Sequence, residues 1–275
     1  MKIQDPRGAV DFDEQGYGPT LVLVPGSCST GAAWKPVISA LGNGFRCITT
    51  SLPGYGGTAE RRSLTDLSIA RVAEAVEAVV HQAASPVHLV GHSFGGLVAT
   101  AVAVRRAVPL ASLTVLEAPA VMLLEGRAQE ADHYGAFRAM TDAYFAAFAA
   151  EAPEAVAHMI DFYGGPGTYS AWPERVRAYV RETTAVNIRD WRSAYGFPLN
   201  AEILSTITMP SLVVWGGNSH PAAARANALL ARALNARSQS IAGAAHFMIA
   251  THADQVAARL ASHVTSIGDR QRLAR

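Results

Sequence analysis

One stretch limits the folds open to this chain more than any other: Gly91-His92-Ser93-Phe94-Gly95, preceded by Val87-His88-Leu89-Val90 and followed by a helix-forming segment at residues 96–106. The apolar run predicts a buried β-strand. A serine with a glycine two residues away on either side, at a strand-to-helix junction, predicts a very tight turn. Such a turn holds the serine in a strained backbone conformation and draws neighbouring backbone close, so side chains at positions 91 and 95 would clash.

The same strand-then-helix rhythm runs through much of the chain. Strands are predicted at residues 9–14, 20–24, 45–50, 87–90, 113–116, 211–215 and 238–242. Helices are predicted at 32–41, 65–82, 96–106, 221–235 and 253–266. Leu21-Val22-Leu23-Val24 and Leu113-Thr114-Val115-Leu116 do not alternate with polar residues. Such runs mark strands covered on both faces, as in parallel sheets. The alternation therefore predicts an α/β architecture with a mostly parallel, doubly wound sheet. It stops between residues 120 and 207, where only helical segments are read: 122–130, 135–150, 153–163 and 173–187, interrupted by Gly164-Gly165-Pro166-Gly167.

This organisation resembles the α/β-hydrolase superfamily over residues 9–264. Three motifs carry the resemblance: the Gly91–Gly95 nucleophile elbow, Leu52-Pro53-Gly54-Tyr55-Gly56, and Gly243-Ala244-Ala245-His246-Phe247. The resemblance implies an α/β-hydrolase fold whose core comprises residues 1–119 and 208–275, with residues 120–207 as an inserted helical cap, or lid.

It also implies a catalytic triad in the chain order serine, acid, histidine. A serine hydroxyl is a weak nucleophile at neutral pH and needs a base to take its proton. That base needs a third group to orient it. Ser93 is the expected nucleophile. Of nine histidines, His246 alone lies in a Gly/Ala-rich loop between the last strand and the last helix, so it is the expected base. The acid departs from the common pattern of an aspartate in the turn after the strand at 211–215. That turn reads Gly216-Gly217-Asn218-Ser219-His220-Pro221, with Ser219 about where the aspartate would stand and no carboxylate at all. The alternative position, directly after the strand at 113–116, carries Glu117, which becomes the expected acid; Asp190 and Asp254 are the fallbacks. The expected oxyanion donors are the backbone N–H groups of Phe94 and Ser27, with Cys28 next in line. Residues 122–197 are rich in aromatics. Cys28, Met122, Phe137, Met140, Trp172, Trp191 and Phe247 are the expected lining of an apolar substrate pocket.

Composition narrows the partners. Half the residues are hydrophobic, only 16% are charged, and the net charge is +1. No basic stripe is present, which argues against nucleic acid. No apolar stretch approaches the ~20 residues needed to span a bilayer, and no signal core is read at the N-terminus. Cys28 and Cys47 suggest neither a disulfide framework nor a zinc site. The expectation is a cytoplasmic enzyme without cofactor or metal, acting on a small hydrophobic ester or lactone. The resemblance leaves open C–C bond or amide hydrolysis, perhydrolysis, and a non-enzymatic ligand receptor on the same fold. It does not distinguish monomer from homodimer.

Overall fold

The computed structural model describes residues 1–84 and 86–273. Eight strands form one sheet in the order β1-β2-β4-β3-β5-β6-β7-β8. Their ranges are β1 Lys2–Asp5, β2 Gly8–Gln15, β3 Thr20–Val24, β4 Arg46–Thr50, β5 Val87–His92, β6 Leu110–Leu116, β7 Ser211–Gly216 and β8 Arg237–Ile241. β1 pairs antiparallel with β2, and β2 antiparallel with β4; from β4 to β8 all pairing is parallel. β1 is absent from the sequence-based reading because three of its four residues, Lys2, Gln4 and Asp5, are polar and it lies at the sheet edge.

The continuous apolar strands behave as their composition requires. Because side chains alternate across a strand, Val22, Val24, Leu89, Val115 and Val213 enter a core on one face of the sheet. Leu21, Leu23, Val90, Leu116 and Val214 enter a second core on the other. The first face is covered by α2 Ile69–Gln82, α3 Phe94–Arg105 and α10 Pro221–Ala233; the second by α1 Lys35–Leu41 and α12 Ala253–Leu273. Burying each such aliphatic side chain stabilises the fold by roughly 1.5–3 kcal/mol. α3 is buried on every side from Phe94 to Ala103, which explains its lack of a polar face.

Between β6 and β7 the described chain holds only helices and turns. These are α4 Ala131–Ala149, α5 Ala157–Gly164, α6 Thr168–Ala171, α7 Glu174–Glu182, α8 Thr184–Gly196 and α9 Ala201–Ser205. The single helix expected at 173–187 is two. α7 ends at Glu182, Thr183 caps both helices, and α8 then runs nine residues beyond position 187 to Gly196. The last short helix before α12 is α11 Met248–Thr251. No described helix is long and apolar enough to cross a membrane.

The glycines of the β5–α3 turn are sterically required. A Cβ at Gly91 would lie 2.2 Å from the carbonyl oxygen of Gly95, and one at Gly95 would lie 2.2 Å from that of Pro25. Both obstacles are backbone and cannot swing aside. Gly91→Ala is therefore expected to destabilise the protein by about 3 kcal/mol or more. Gly135→Ala, on α4 with open space around it, is expected to stabilise by up to ~1 kcal/mol. Urea midpoints of the two variants check this contrast; similar shifts would show that the turn tolerates a side chain.

Candidate active site

β3 and β5 are neighbours in the sheet, but β3 connects to β4 on one side and β5 follows on the other. Ligands on open α/β sheets collect at such a reversal, beyond the carboxyl ends of the strands. The loops leaving β3, β5, β6 and β8 bring Ser27, Ser93, Glu117 and His246 to that end.

Ser93 sits between β5 and α3 with φ 55° and ψ −129°, a strained conformation for a residue with a side chain. Two backbone bonds hold it there: its N–H donates to Leu116 O at 2.8 Å, and its carbonyl accepts from Gly96 N at 2.8 Å. The strain turns Oγ out of the sheet to meet His246 Nε2 at 2.9 Å. His246 Nδ1 lies 2.9 Å from Glu117 Oε1. The second carboxylate oxygen of Glu117 accepts from Gly216 N at 3.0 Å and from the Ser219 hydroxyl.

Glu117 is fully buried. Burial works to raise its pKa, but the hydrogen bonds and charge of His246, with the donors of Gly216 and Ser219, hold it below the usual carboxylate range. It therefore stays ionised and can only accept. That makes His246 Nδ1 the donor and leaves Nε2 as an acceptor facing the Ser93 hydroxyl. The position of the carboxylate is fixed from behind. Glu117 has φ 46°, its N–H donates to Val214 O at 2.8 Å, and Asn227 of α10 clamps the next residue through 2.9 Å bonds to both Ala118 N and Ala118 O. Sequence reasoning missed Asn227; an asparagine set among the alanines and leucines of residues 222–231 was the available signal.

Neither fallback acid touches the histidine. Asp254 is exposed in the first turn of α12. Asp190 of α8 is buried among three donors: Ser27 Oγ at 2.5 Å, Tyr55 OH at 2.6 Å and Arg62 Nη1 at 2.7 Å. Burial raises its pKa and the adjacent Arg62 works against that rise. These bonds tie α8 to the loop after β3. In that loop Gly26 approaches Ser93 so closely that an added Cβ would lie 2.8 Å from Ser93 Cβ. Ser27 and Phe94 both line the space beside Ser93, and no hydrogen bond from the backbone N–H of either is found among the described residues. Cys28, beside them, is buried with φ 57°. Burial, aided by the Asp190 charge, pushes its thiol up to about 12, so it stays protonated and unreactive.

A cavity of about 210 Å³ opens on Ser93 and His246. Of the expected lining residues, Cys28, Trp172, Trp191 and Phe247 are there. Met122, Phe137 and Met140 are not: they belong to the packing between the inserted helices and the sheet. Phe137 packs edge-on and tilted against Phe162, Tyr163 and Trp191, and so supports the lining from behind. Met159, Tyr163 and Asn187 line the cavity instead. The Tyr163 ring stacks on His246 at 3.9 Å.

His92 supports the site without entering the proton chain. Its Nε2–H donates to His246 O at 2.8 Å, holding the histidine loop against the elbow. Burial, and then the neighbouring His246, push its pKa down to about 3. Burial pushes that of His263 down to about 4, with Arg237 nearby adding to it. Unfolded histidine titrates near 6.5, so between these values the unfolded chain binds protons that the folded chain refuses. The stabilisation is complete above about pH 6.5 and is lost as pH falls. At pH 5 the two histidines together are expected to cost roughly 4 kcal/mol relative to pH 7.5. Glu117, also depressed, adds to this trend, and Asp190 opposes it. Urea midpoints at the two pH values test it; equal midpoints would refute it.

The family model of the alpha/beta hydrolase family matches residues 21–259. The chain belongs to the α/β hydrolase family. Among curated relatives, the pimeloyl-[acyl-carrier protein] methyl ester esterase of Aeromonas hydrophila subsp. hydrophila is 35% identical over 115 residues, 42% of this chain and 44% of that protein. The (E)-2-((N-methylformamido)methylene)succinate hydrolase of Acinetobacter baylyi is 34% identical over 109 residues, 38% of this chain and 40% of that protein. These matches span less than half the length of either relative. Over nearly the whole molecule the α/β-hydrolase fold is shared with a thermophilic esterase from Thermogutta terrifontis (TM-score 0.73, 20% identity, 97% of this chain and 98% of that one).

Proposed function

We propose that this protein is a serine hydrolase that cleaves an uncharged, apolar carboxylic ester or lactone through an acyl-enzyme on Ser93. The observation that carries the reading is the unbroken line Ser93 Oγ, His246 and Glu117, with both links at 2.9 Å, at the mouth of a largely apolar cavity.

The steps follow from that line. As Ser93 Oγ attacks the ester carbonyl carbon, its proton passes to His246 Nε2. The carbonyl π electrons move to oxygen, and the oxyanion accepts hydrogen bonds from the N–H groups of Ser27 and Phe94. The tetrahedral species collapses, the alkoxide leaves, and it takes the proton from His246. Water then enters, gives a proton to the same nitrogen and attacks the acyl carbon, and collapse releases the acid and returns the proton to Ser93. Glu117 remains ionised throughout and stabilises the imidazolium. The inserted helices act as a lid that excludes bulk water. The cavity is smaller than the ~300–1,000 Å³ of drug-sized ligand pockets, which suits an acyl group of modest length.

A fluorophosphonate reagent tests the reading. It is expected to label Ser93 within minutes in native protein and not in urea-unfolded protein, because only the folded line activates the hydroxyl. Absence of label in folded protein would sink the hydrolase reading and favour a ligand receptor.

A further inference from the structure

Two residues that line the cavity carry a side-chain donor with no partner among the described residues. Asn187 is fully buried and lines the cavity. Its Oδ1 accepts from the Tyr144 hydroxyl at 2.9 Å, which commits the carbonyl side of the amide. Its Nδ2 has no hydrogen-bond partner among the described residues. Tyr163, 5% exposed and also in the lining, has a hydroxyl with no partner either. A buried N–H or O–H left unpaired costs stability. A fold that keeps two of them in the wall of one apolar cavity gains when a ligand brings the acceptor within reach.

The charges around them define that acceptor. The carboxylate of Asp190, three residues after Asn187 and on the same face of α8, already takes three donors. Arg62 is committed to Asp190 and Glu60, and among the described residues no lysine or arginine lines the cavity. An anionic group would therefore meet the charges of Asp190 and Glu117 with no free cation to receive it. A neutral oxygen meets two free donors.

We infer that the molecule cleaved at Ser93 carries, besides its scissile ester, a second neutral hydrogen-bond acceptor, a ketone, amide or ether oxygen, received by Asn187 Nδ2 with Tyr163 OH as the second donor. This inference rests on the hydrolase reading for its substrate but not for its binding site.

The test compares kcat/KM for p-nitrophenyl hexanoate, for its analogues with a ketone at the fourth or fifth carbon, and for the p-nitrophenyl monoester of hexanedioic acid, which ends in a carboxylate. At least one ketone ester is expected to exceed hexanoate about tenfold, and the acid-ended ester to fall below it. The ratio of ketone to alkyl ester is expected to drop toward one in Asn187→Leu combined with Tyr144→Phe, which removes both halves of that hydrogen bond together. It is expected to drop partly in Tyr163→Phe, which keeps the ring on His246. A ratio taken within one protein is independent of how much of it is folded, and Tyr163→Phe, one oxygen smaller, serves if the double variant does not fold. Equal rates in the unaltered protein, preference for the acid-ended ester, or a ratio that survives both changes would overturn the inference. If no ester is turned over, the hydrolase reading has failed by itself. Calorimetry with Ser93→Ala then decides the acceptor site: tighter binding of the methyl ketone-ester than of methyl hexanoate supports it, and equal binding overturns it.

Discussion

Ser93→Ala is expected to lower kcat for ester cleavage roughly 10⁶-fold, to the residue of activity that oxyanion donors and binding supply without a nucleophile. The size follows from how much of the site exists to activate one oxygen. The strained turn, the close Gly91 and Gly95, and the 2.9 Å bond to His246 all converge on Oγ. Removing that oxygen leaves His246 with nothing to deprotonate except water. His246→Ala is expected to cost a similar factor, and the double variant no more than either single one, because the residues act as one unit. KM should change little, since the cavity walls are untouched. Steady-state kinetics with p-nitrophenyl hexanoate, backed by fluorophosphonate titration of active sites, measures this. Residual turnover above about one per cent in Ser93→Ala would rule out an acyl-enzyme at this residue.

Glu117→Gln is expected to lower kcat by about 10⁴-fold while the protein stays folded. Two donors, Gly216 N–H and the Ser219 hydroxyl, point at Oε2 of Glu117. A glutamine amide satisfies them only by turning its oxygen toward them. Its NH2 group then faces His246 Nδ1. Two donors cannot share that bond, so the imidazole moves its proton to Nε2 and loses the lone pair that accepts from Ser93. The loss thus comes from the wrong tautomer as well as from the missing charge. Circular dichroism and kcat together test it. Near-normal kcat in a folded Glu117→Gln protein would remove Glu117 from the mechanism.

The parts of this site legible in the sequence are those governed by local sterics or by chain order. A glycine-flanked serine after an apolar strand has few conformations open to it, and the structure has Ser93 in the strained one. Glu117 was legible because a carboxylate directly after a buried strand needs a partner, and His246 because its loop falls between the last strand and the last helix. The cavity wall was not legible in the same way. Phe137 and Met140 share α4 with residues of the same chemical character, and which of them faces Ser93 depends on how α4, α5 and α8 cross. That crossing is set by packing between segments distant in sequence, and no single-helix pattern records it. Asn187 and Tyr163 were not read as cavity-lining for the same reason: their unpaired donors show only once the packed hydrogen bonds around them are known.

The turn after β7 looks different in light of the bond between Ser219 and Glu117. Position 219 lies within one hydrogen bond of the carboxylate delivered from β6. An aspartate there would bring a second negative charge to the spot that Glu117 already occupies, and two such groups cannot both stay ionised. The two strand ends are thus mutually exclusive addresses for a single charge. A chain that sends its acid from β6 is obliged to keep the next turn uncharged, and it gains by filling the vacated address with a hydroxyl. The absent aspartate is then the counterpart of Glu117, and a carboxylate can enter at 219 only if the one at 117 is lost.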